Sequence, residues 1–255
     1  GATRFGGKPD VPPDFVWPTY EGESYDHVVK DRPLTFLAQF NCAELAQFDK
    51  EHLLPDHGLL SFFYETDTQC WGYDPKDQGC ARVYWFEDTS ALSSVDFPAD
   101  MEEDFKFPMV KIKMDSKSSY PSWQDFSEVF PDEEDDDAFN DAWEELTGED
   151  AEDPADRSQL LGWPDIIQNN MTLECELVSR GHYLGGSWES VPQEERDALR
   201  APSVQDWRLL FQLDTVASGD FELMFGDCGR IYFYIRREDL LARQFDRAWL
   251  VLQCM

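Results

Sequence analysis

A pattern of three apolar strands occurs twice in this chain, and no other feature limits the possible folds as tightly. In the C-terminal third it runs WRLLFQLD (Trp207 to Asp214), a GDCG turn (Gly226 to Gly229), RIYFYI (Arg230 to Ile235), a short helical stretch, then AWLVLQC. The same order occurs early, as PLTFLAQFN (Pro33 to Asn41), HGLLSFFYE (His57 to Glu65) and ARVYWFE (Ala81 to Glu87). Aligning Gln39 with Gln212, Gly58 with Gly229 and Arg82 with Arg247 gives offsets of 173, 171 and 165. A nearly constant offset over three strands indicates an internal duplication. In the first strand Leu34, Phe36, Ala38 and Phe40 alternate with Thr35, Leu37, Gln39 and Asn41. The expected fold is mainly β within the α+β class: roll-like antiparallel sheets, peripheral short helices and an acidic helical insertion. One compact domain is expected, with a first repeat over 1–115, an acidic linker and helix over 116–158, and a second repeat over 159–255.

The charge is as unusual as the repeat. Fifty-three acidic residues against twenty-one basic give −32. Such a field repels nucleic acid and anionic lipid and attracts basic proteins and divalent cations, so neither nucleic acid nor a membrane is expected as a partner. Sixteen of the acids fall between Trp123 and Asp156, a stretch without Lys or Arg. Within it Phe139, Ala142, Trp143 and Leu146 recur at helical spacing behind the run Asp132, Glu133, Glu134, Asp135, Asp136 and Asp137. The spacing predicts an acidic amphipathic helix docked through Phe139 and Trp143. Six scattered cysteines with no CxxC pair read as reduced, mostly buried thiols. No apolar run is long enough to span a bilayer, and GATRFGG lacks the features of a secretion signal, so a cytoplasmic location is expected.

Elsewhere the local signals are shorter. Pro9, Pro12, Pro13 and Pro18 keep the N-terminal strip extended, with Phe15 and Trp17 turned to the core. Asn41 caps a short helix beginning at Cys42. MVKIKM (Met109 to Met114) and MTLECELVS (Met171 to Ser179) alternate as strands, the latter with Leu173, Cys175 and Leu177 on one face. Gly185-Gly186 echoes Gly6-Gly7 at an offset of 179, which would mark a start of the second repeat. Ser190 and Gln193 suggest a capping box for QEERDALR, and REDLLARQF reads as a helix with Leu240, Leu241 and Phe245 inward.

No catalytic signature emerges. His27, His52, His57 and His182 share no metal-binding spacing, GGSWE lacks the second glycine of a nucleophile elbow, and no phosphate-binding glycine loop exists. Asp135, Asp137, Asn140 and Asp141 lie close together but lack the glycine and final glutamate of a calcium loop. Weak divalent cation binding is therefore expected at most, with no dedicated metal and no cofactor. Two polar sets remain. Gln39, Asn41, Gln212 and Asp214, with Asp227 nearby, would line a shared pocket if the repeats met at their polar strand faces; the competing reading is turn chemistry. The acids Asp132 to Asp137 with Asp141 would form a surface for a basic protein; the competing reading is a solvated face.

Several motifs also resemble the YwqG family of bacterial proteins. They are Gly6-Gly7 with Pro9, Pro12, Phe15, Trp17 and Pro18; Phe36-Leu37-Ala38-Gln39-Phe40-Asn41; Leu54-Pro55 with Gly58-Leu59-Leu60 and Phe62-Phe63-Tyr64; Leu161-Gly162 with Pro164 and Gln168; and Gln212-Leu213-Asp214 with Gly226-Asp227, Gly229 and Tyr232-Phe233. The resemblance implies a mainly β roll of unestablished activity, and a partner-binding or antidote role, since some members sit beside secreted-toxin genes. The chain departs from it in a longer acidic run and in lacking a segment before the glycine pair. The expected function is a non-enzymatic module whose acidic surface engages a basic protein. The alternative is a small-ligand protein or cryptic enzyme with a polar pocket at the seam of the repeats.

Overall fold

The six long strands form where alternation and aromatic content place them. The structure, a computed structural model, describes residues 1–24, 27–148 and 158–255. In one sheet the strands run in the order Ala81–Phe86, Leu59–Tyr64, Thr35–Asn41, Arg4–Phe5 and Val110–Lys111. In the other the order is Trp249–Gln253, Arg230–Arg236, Trp207–Leu213 and Gln159–Leu160. Every neighbouring pair is antiparallel. Four strands of each sheet thus match in order, which is the duplication in three dimensions.

The match extends to irregularities. Each copy of the first long strand carries a register shift at the same point, between Phe36 and Ala38 and between Leu209 and Phe211. The extra residue, Leu37 or Leu210, is fully buried in both. The shift breaks the simple alternation expected from the sequence. Leu37, Ala38 and Phe40 join the core between the sheets, while Leu34 and Phe36 pack on the opposite face with Phe63.

Register also corrects two alignments. Phe62 pairs with Val83 and Phe233 with Leu250, so the third strands are offset by 167. Arg82 therefore has no counterpart in Arg247, which lies in the 3-10 turn Phe245–Arg247 before the strand. At the start, Arg4 pairs with Gln39 as Gln159 pairs with Gln212, an offset of 155. The counterpart of Gly6-Gly7 is then Leu161-Gly162, not Gly185-Gly186, and both pairs have positive φ (58° and 73°, 59° and 78°). A Cβ on Gly6 would come within 2.1 Å of the Pro108 carbonyl oxygen, so glycine is required there.

The sheets face each other across phenylalanines. Phe62 stands 4.7 Å from Phe211 and 5.1 Å from Phe233, and Phe40 lies 5.4 Å from Phe211 (ring centroids). The outer face of the first sheet is covered by the N-terminal strip, as its prolines and aromatics foretell. Phe15 and Trp17 pack on Phe63, and the Trp17 indole N–H donates to the Leu34 carbonyl at 2.9 Å. The outer face of the second sheet is covered by a helix, Met171–Ser179.

The alternation in MTLECELVS predicts a strand here, and the structure forms a helix instead. Met171 and Cys175 pack on Trp207, Leu209 and Tyr232, while Leu173, Leu177 and Val178 pack outward on Leu184 and Val191. Both sides are buried, so no one-sided stripe marks it, and Leu173, Cys175 and Leu177 imitate a two-residue period. The legible signal was Asn170, whose side chain accepts from the Thr172 and Leu173 N–H groups as an N-cap.

Three smaller expectations also shift. The helix over QEERDALR runs on past Pro202, as Gln193–Asp206, and Pro192 occupies its cap with no side-chain bond, so the Ser190 capping box does not form. Of MVKIKM, only Val110–Lys111 pairs as a strand. In the Arg237–Leu241 helix Leu240 is buried, whereas Leu241 is about half exposed. Asn41 caps Cys42–Leu45 as expected. Among the described residues no helix is long and apolar enough to cross a membrane.

Phe62 touches rings from both sheets, so Phe62→Ala should cost about 3–5 kcal/mol, read as a lower urea midpoint. Phe86→Ala, at the half-buried end of the edge strand, should cost clearly less in the same assay.

Candidate functional site

The polar residues singled out at the strand faces do not meet. Gln39 and Gln212 both point away from the phenylalanine layer, so the sheets stand between them, and the seam where a shared pocket was expected is filled by Phe40, Phe62, Phe211 and Phe233. Each glutamine is fully buried in its own cluster. The Gln39 side-chain oxygen accepts from the Asp10 backbone N–H at 3.0 Å, and its amide donates to Asp10 Oδ2 at 2.7 Å and to the Ala2 carbonyl at 3.0 Å. The Gln212 oxygen accepts from the Asp165 N–H at 2.9 Å. Pro9-Asp10 and Pro164-Asp165 share the offset of 155, so the repeats use one device twice: a buried glutamine holds the turn that follows the short strand paired with it.

An arginine completes each cluster, from a different strand. Arg4 meets Asp10 at 3.0 Å, and Arg230 meets Asp165 at 2.7 Å and Asp214 at 2.9 Å. Burial would raise the Asp10 carboxyl, but Arg4 and Gln39 outweigh it and hold it below the usual range. Asn41 is spent on its cap, accepting from the Ala43 N–H, and donates to the Gly1 carbonyl. Asp227 lies exposed in the Phe225–Gly229 turn, its carbonyl accepting from the Met255 N–H. Of the five residues, only Gln212 and Asp214 join one cluster, through Asp165 and Arg230.

The acidic helix forms as Asp136–Thr147. Asp135 caps it, accepting from the Ala138 N–H at 2.9 Å, and Gly148 ends it at φ 70°. Phe139 docks it against Trp123 at 5.5 Å and Phe126 at 5.0 Å. Phe139 and Trp143 are half-buried and no residue of the helix is buried, so it rests on one edge. Asp132 to Asp137, Asp141, Glu144 and Glu145 are all exposed, and none is ion-paired among the described residues. The acids from Glu149 to Asp156 lie outside the described residues.

Beneath it the helix Trp123–Val129 makes the link to the body. A Ser122–Asp125 capping box starts it, Asp125 Oδ1 accepts from the Asn170 amide at 2.9 Å, and Glu128 takes the Arg200 guanidinium at 2.8 and 2.9 Å. Between Trp123–Val129, Met171–Ser179 and Gln193–Asp206 opens a cleft of about 360 Å³. It is lined by Glu128, Asn169, Asn170, Leu173, Trp188, Arg196 and Arg200. Its volume falls in the range of small-molecule sites. A second cavity, beside Asp77 and Arg247, holds only about 50 Å³.

Two buried carboxyls sit behind the cleft's asparagines. Burial pushes Asp125 up to about 6 although Ser122 and Asn170 donate to it, and pushes Glu174 up to about 8, opposed only by Asn169. Glu176, two residues on, is held low. Burial acts against that, but the Trp207 indole N–H, Arg180 and Arg236 all bind its oxygens at 2.7–2.9 Å. The cleft is not legible in the sequence, because its residues come from four segments and the alternation of Leu173, Cys175 and Leu177 beside Glu174 reads as a strand. Among the described residues no cluster of three or more His, Cys, Asp or Glu is placed to hold a metal ion.

The model of a family described as Domain of unknown function (DUF1963) matches residues 3–254. No curated protein matches the chain.

Glu174 gives a pH dependence with a fixed sign. Its folded pKa lies above the unfolded value, so the stability it contributes is full below about 4.5 and is lost as pH rises to about 8. Glu174→Gln should therefore raise stability at pH 8.5 by roughly 2–4 kcal/mol and flatten the decline of the urea midpoint from pH 5 to 9. An unchanged slope in the variant would contradict the burial of an ionisable group there. Gln212→Ala, which orphans the Asp165 N–H, should cost roughly 1–3 kcal/mol in the same measurement.

Proposed function

We propose that this chain, which belongs to the DUF1963 family, is a non-enzymatic binding module that engages a basic protein through its acidic helical layer. One observation carries the reading: nine carboxylates from Asp132 to Glu145 are exposed around a helix held by a single edge, and no cation of the described fold neutralises them. Structural carboxylates elsewhere in the protein are treated differently. Asp10, Asp165, Glu176 and Asp239 each meet an arginine within 3.0 Å.

Two apolar side chains lie within this acidic surface. Phe130 is 52% and Leu146 61% exposed, on either side of the acidic run. Apolar anchors ringed by charge are the composition of an interface in which charge speeds encounter and buried side chains hold the complex. The antidote role implied by the resemblance to the YwqG family is one form of this reading. A ligand site at the seam of the repeats has less support, since rings fill that seam.

The test is recovery of a binding partner from native host lysate at low salt, released by a salt step and identified by mass spectrometry. The expected result is a stoichiometric basic protein that elutes sharply. Its affinity should fall at least tenfold when Asp132 to Asp137 are replaced by their amides, with a shallower salt dependence and a nearly unchanged melting temperature. Equal binding by the neutralised protein would refute the proposal.

A further inference from the structure

The helical cleft has chemistry that the acidic surface does not explain. Its walls are apolar on one side and cationic on the other. Leu173 and half-buried Trp188 form the apolar wall. Opposite stand Arg196 and Arg200, one helical turn apart on Gln193–Asp206.

The two arginines differ in what they already hold. Arg200 is occupied by both oxygens of Glu128, at 2.8 and 2.9 Å, and lies 3.5 Å from Asp197. Arg196 has no acidic partner among the described residues, and its Nε is buried without an acceptor. Among the described residues Arg196 Nε is the one buried guanidinium nitrogen left without an acceptor, in a chain of net charge −32. The local acids are engaged elsewhere: Glu195 bonds His182 at 3.1 Å, Glu128 holds Arg200, and the carboxyl of Asp125 faces Asn170. A buried guanidinium N–H without an acceptor costs free energy unless something fills its place.

The asparagines on the floor do not supply that acceptor. The Asn170 oxygen already accepts from the Thr172 N–H, the Thr172 hydroxyl and the Leu173 N–H, and its amide donates to Asp125. The Asn169 amide donates to the Asn170 carbonyl. No described residue gives Arg196 Nε an acceptor, which leaves the place for one supplied by a ligand.

We propose that the cleft binds a small aromatic monocarboxylate, its carboxylate on the Arg196 guanidinium and its ring against Trp188 and Leu173. The fork of arginine donors fits two carboxylate oxygens, and the indole offers a flat face for the ring. Phosphate esters present the same kind of oxygen but carry close to two charges. With one unpaired cation in the cleft and a strongly negative field around it, the singly charged group is favoured. This site is independent of the acidic helix, whose exposed carboxylates point to a different partner.

The experiment uses the full chain with three probes of matched size: benzoate, phenyl phosphate and benzyl alcohol, titrated by calorimetry and followed in the NMR spectrum. The Trp188 indole N–H resonance, assigned with Trp188→Phe, should shift on adding benzoate. Benzyl alcohol and phenyl phosphate should each bind at least tenfold more weakly than benzoate. Arg196→Gln should weaken benzoate at least tenfold, and Arg196→Lys should recover part of the loss. The spectra of both variants report that they are folded. No binding of benzoate, equal binding of either other probe, or unchanged binding in folded Arg196→Gln would each overturn the proposal.

Discussion

The contact between Phe62 and the pair Phe211 and Phe233 is the point on which the rest of the structure depends. Neither sheet has an apolar face that is stable in water alone, and each supplies the cover for the other. The rings meet tilted or edge to face rather than as a flat sandwich, which suits their charge distribution. Closing this layer turns the opposite faces outward, where each needs cover of its own. The first sheet takes a proline-rich strip carrying Phe15 and Trp17; the second takes the Met171–Ser179 helix. Two copies of one sheet pattern thus end in different surroundings.

The duplicated glutamines show how polar groups are tolerated in such a body. A side-chain amide can replace a strand partner for a turn that cannot enter the ladder, because it offers both a donor and an acceptor. Gln39 and Gln212 do this at equivalent positions, and an arginine reaches the following aspartate in each copy. The arginines come from non-equivalent strands, Arg4 from the short Arg4–Phe5 strand and Arg230 from the long Arg230–Arg236 strand. What the repeats share is therefore the need to satisfy the turn, with the charge partner supplied from whichever side is open.

Charge is sorted by depth. Carboxylates at the sheet, and Glu176 on the covering helix, meet arginines, a tryptophan N–H or backbone donors. Those on the outermost helix are exposed and meet no arginine or lysine among the described residues. Between these layers Asp125 and Glu174 are buried with too few donors, and their pKa values rise accordingly. The cleft beside them is where the order of layers is least complete, and Arg196 is its unmatched charge.

Much of the sheet architecture was legible in the chain. Aromatic-rich strands recurring at a near-constant offset specify two similar antiparallel sheets, and the acidic amphipathic run specifies its helix, because each depends on neighbours in sequence. The register shift at Leu37 and Leu210, the helix at Met171–Ser179 and the match of Gly6-Gly7 to Leu161-Gly162 were not legible. A bulge reverses faces without altering composition, and a helix buried on both sides loses the one-sided stripe that would identify it. The cleft was decided wholly by tertiary structure, since Glu128, Asn169, Trp188 and Arg196 acquire a common purpose only when three helices pack over the second sheet. Local periodicity determines which segments become strands; what covers them, and which charges are left unpaired, follows from contacts between residues far apart in the chain.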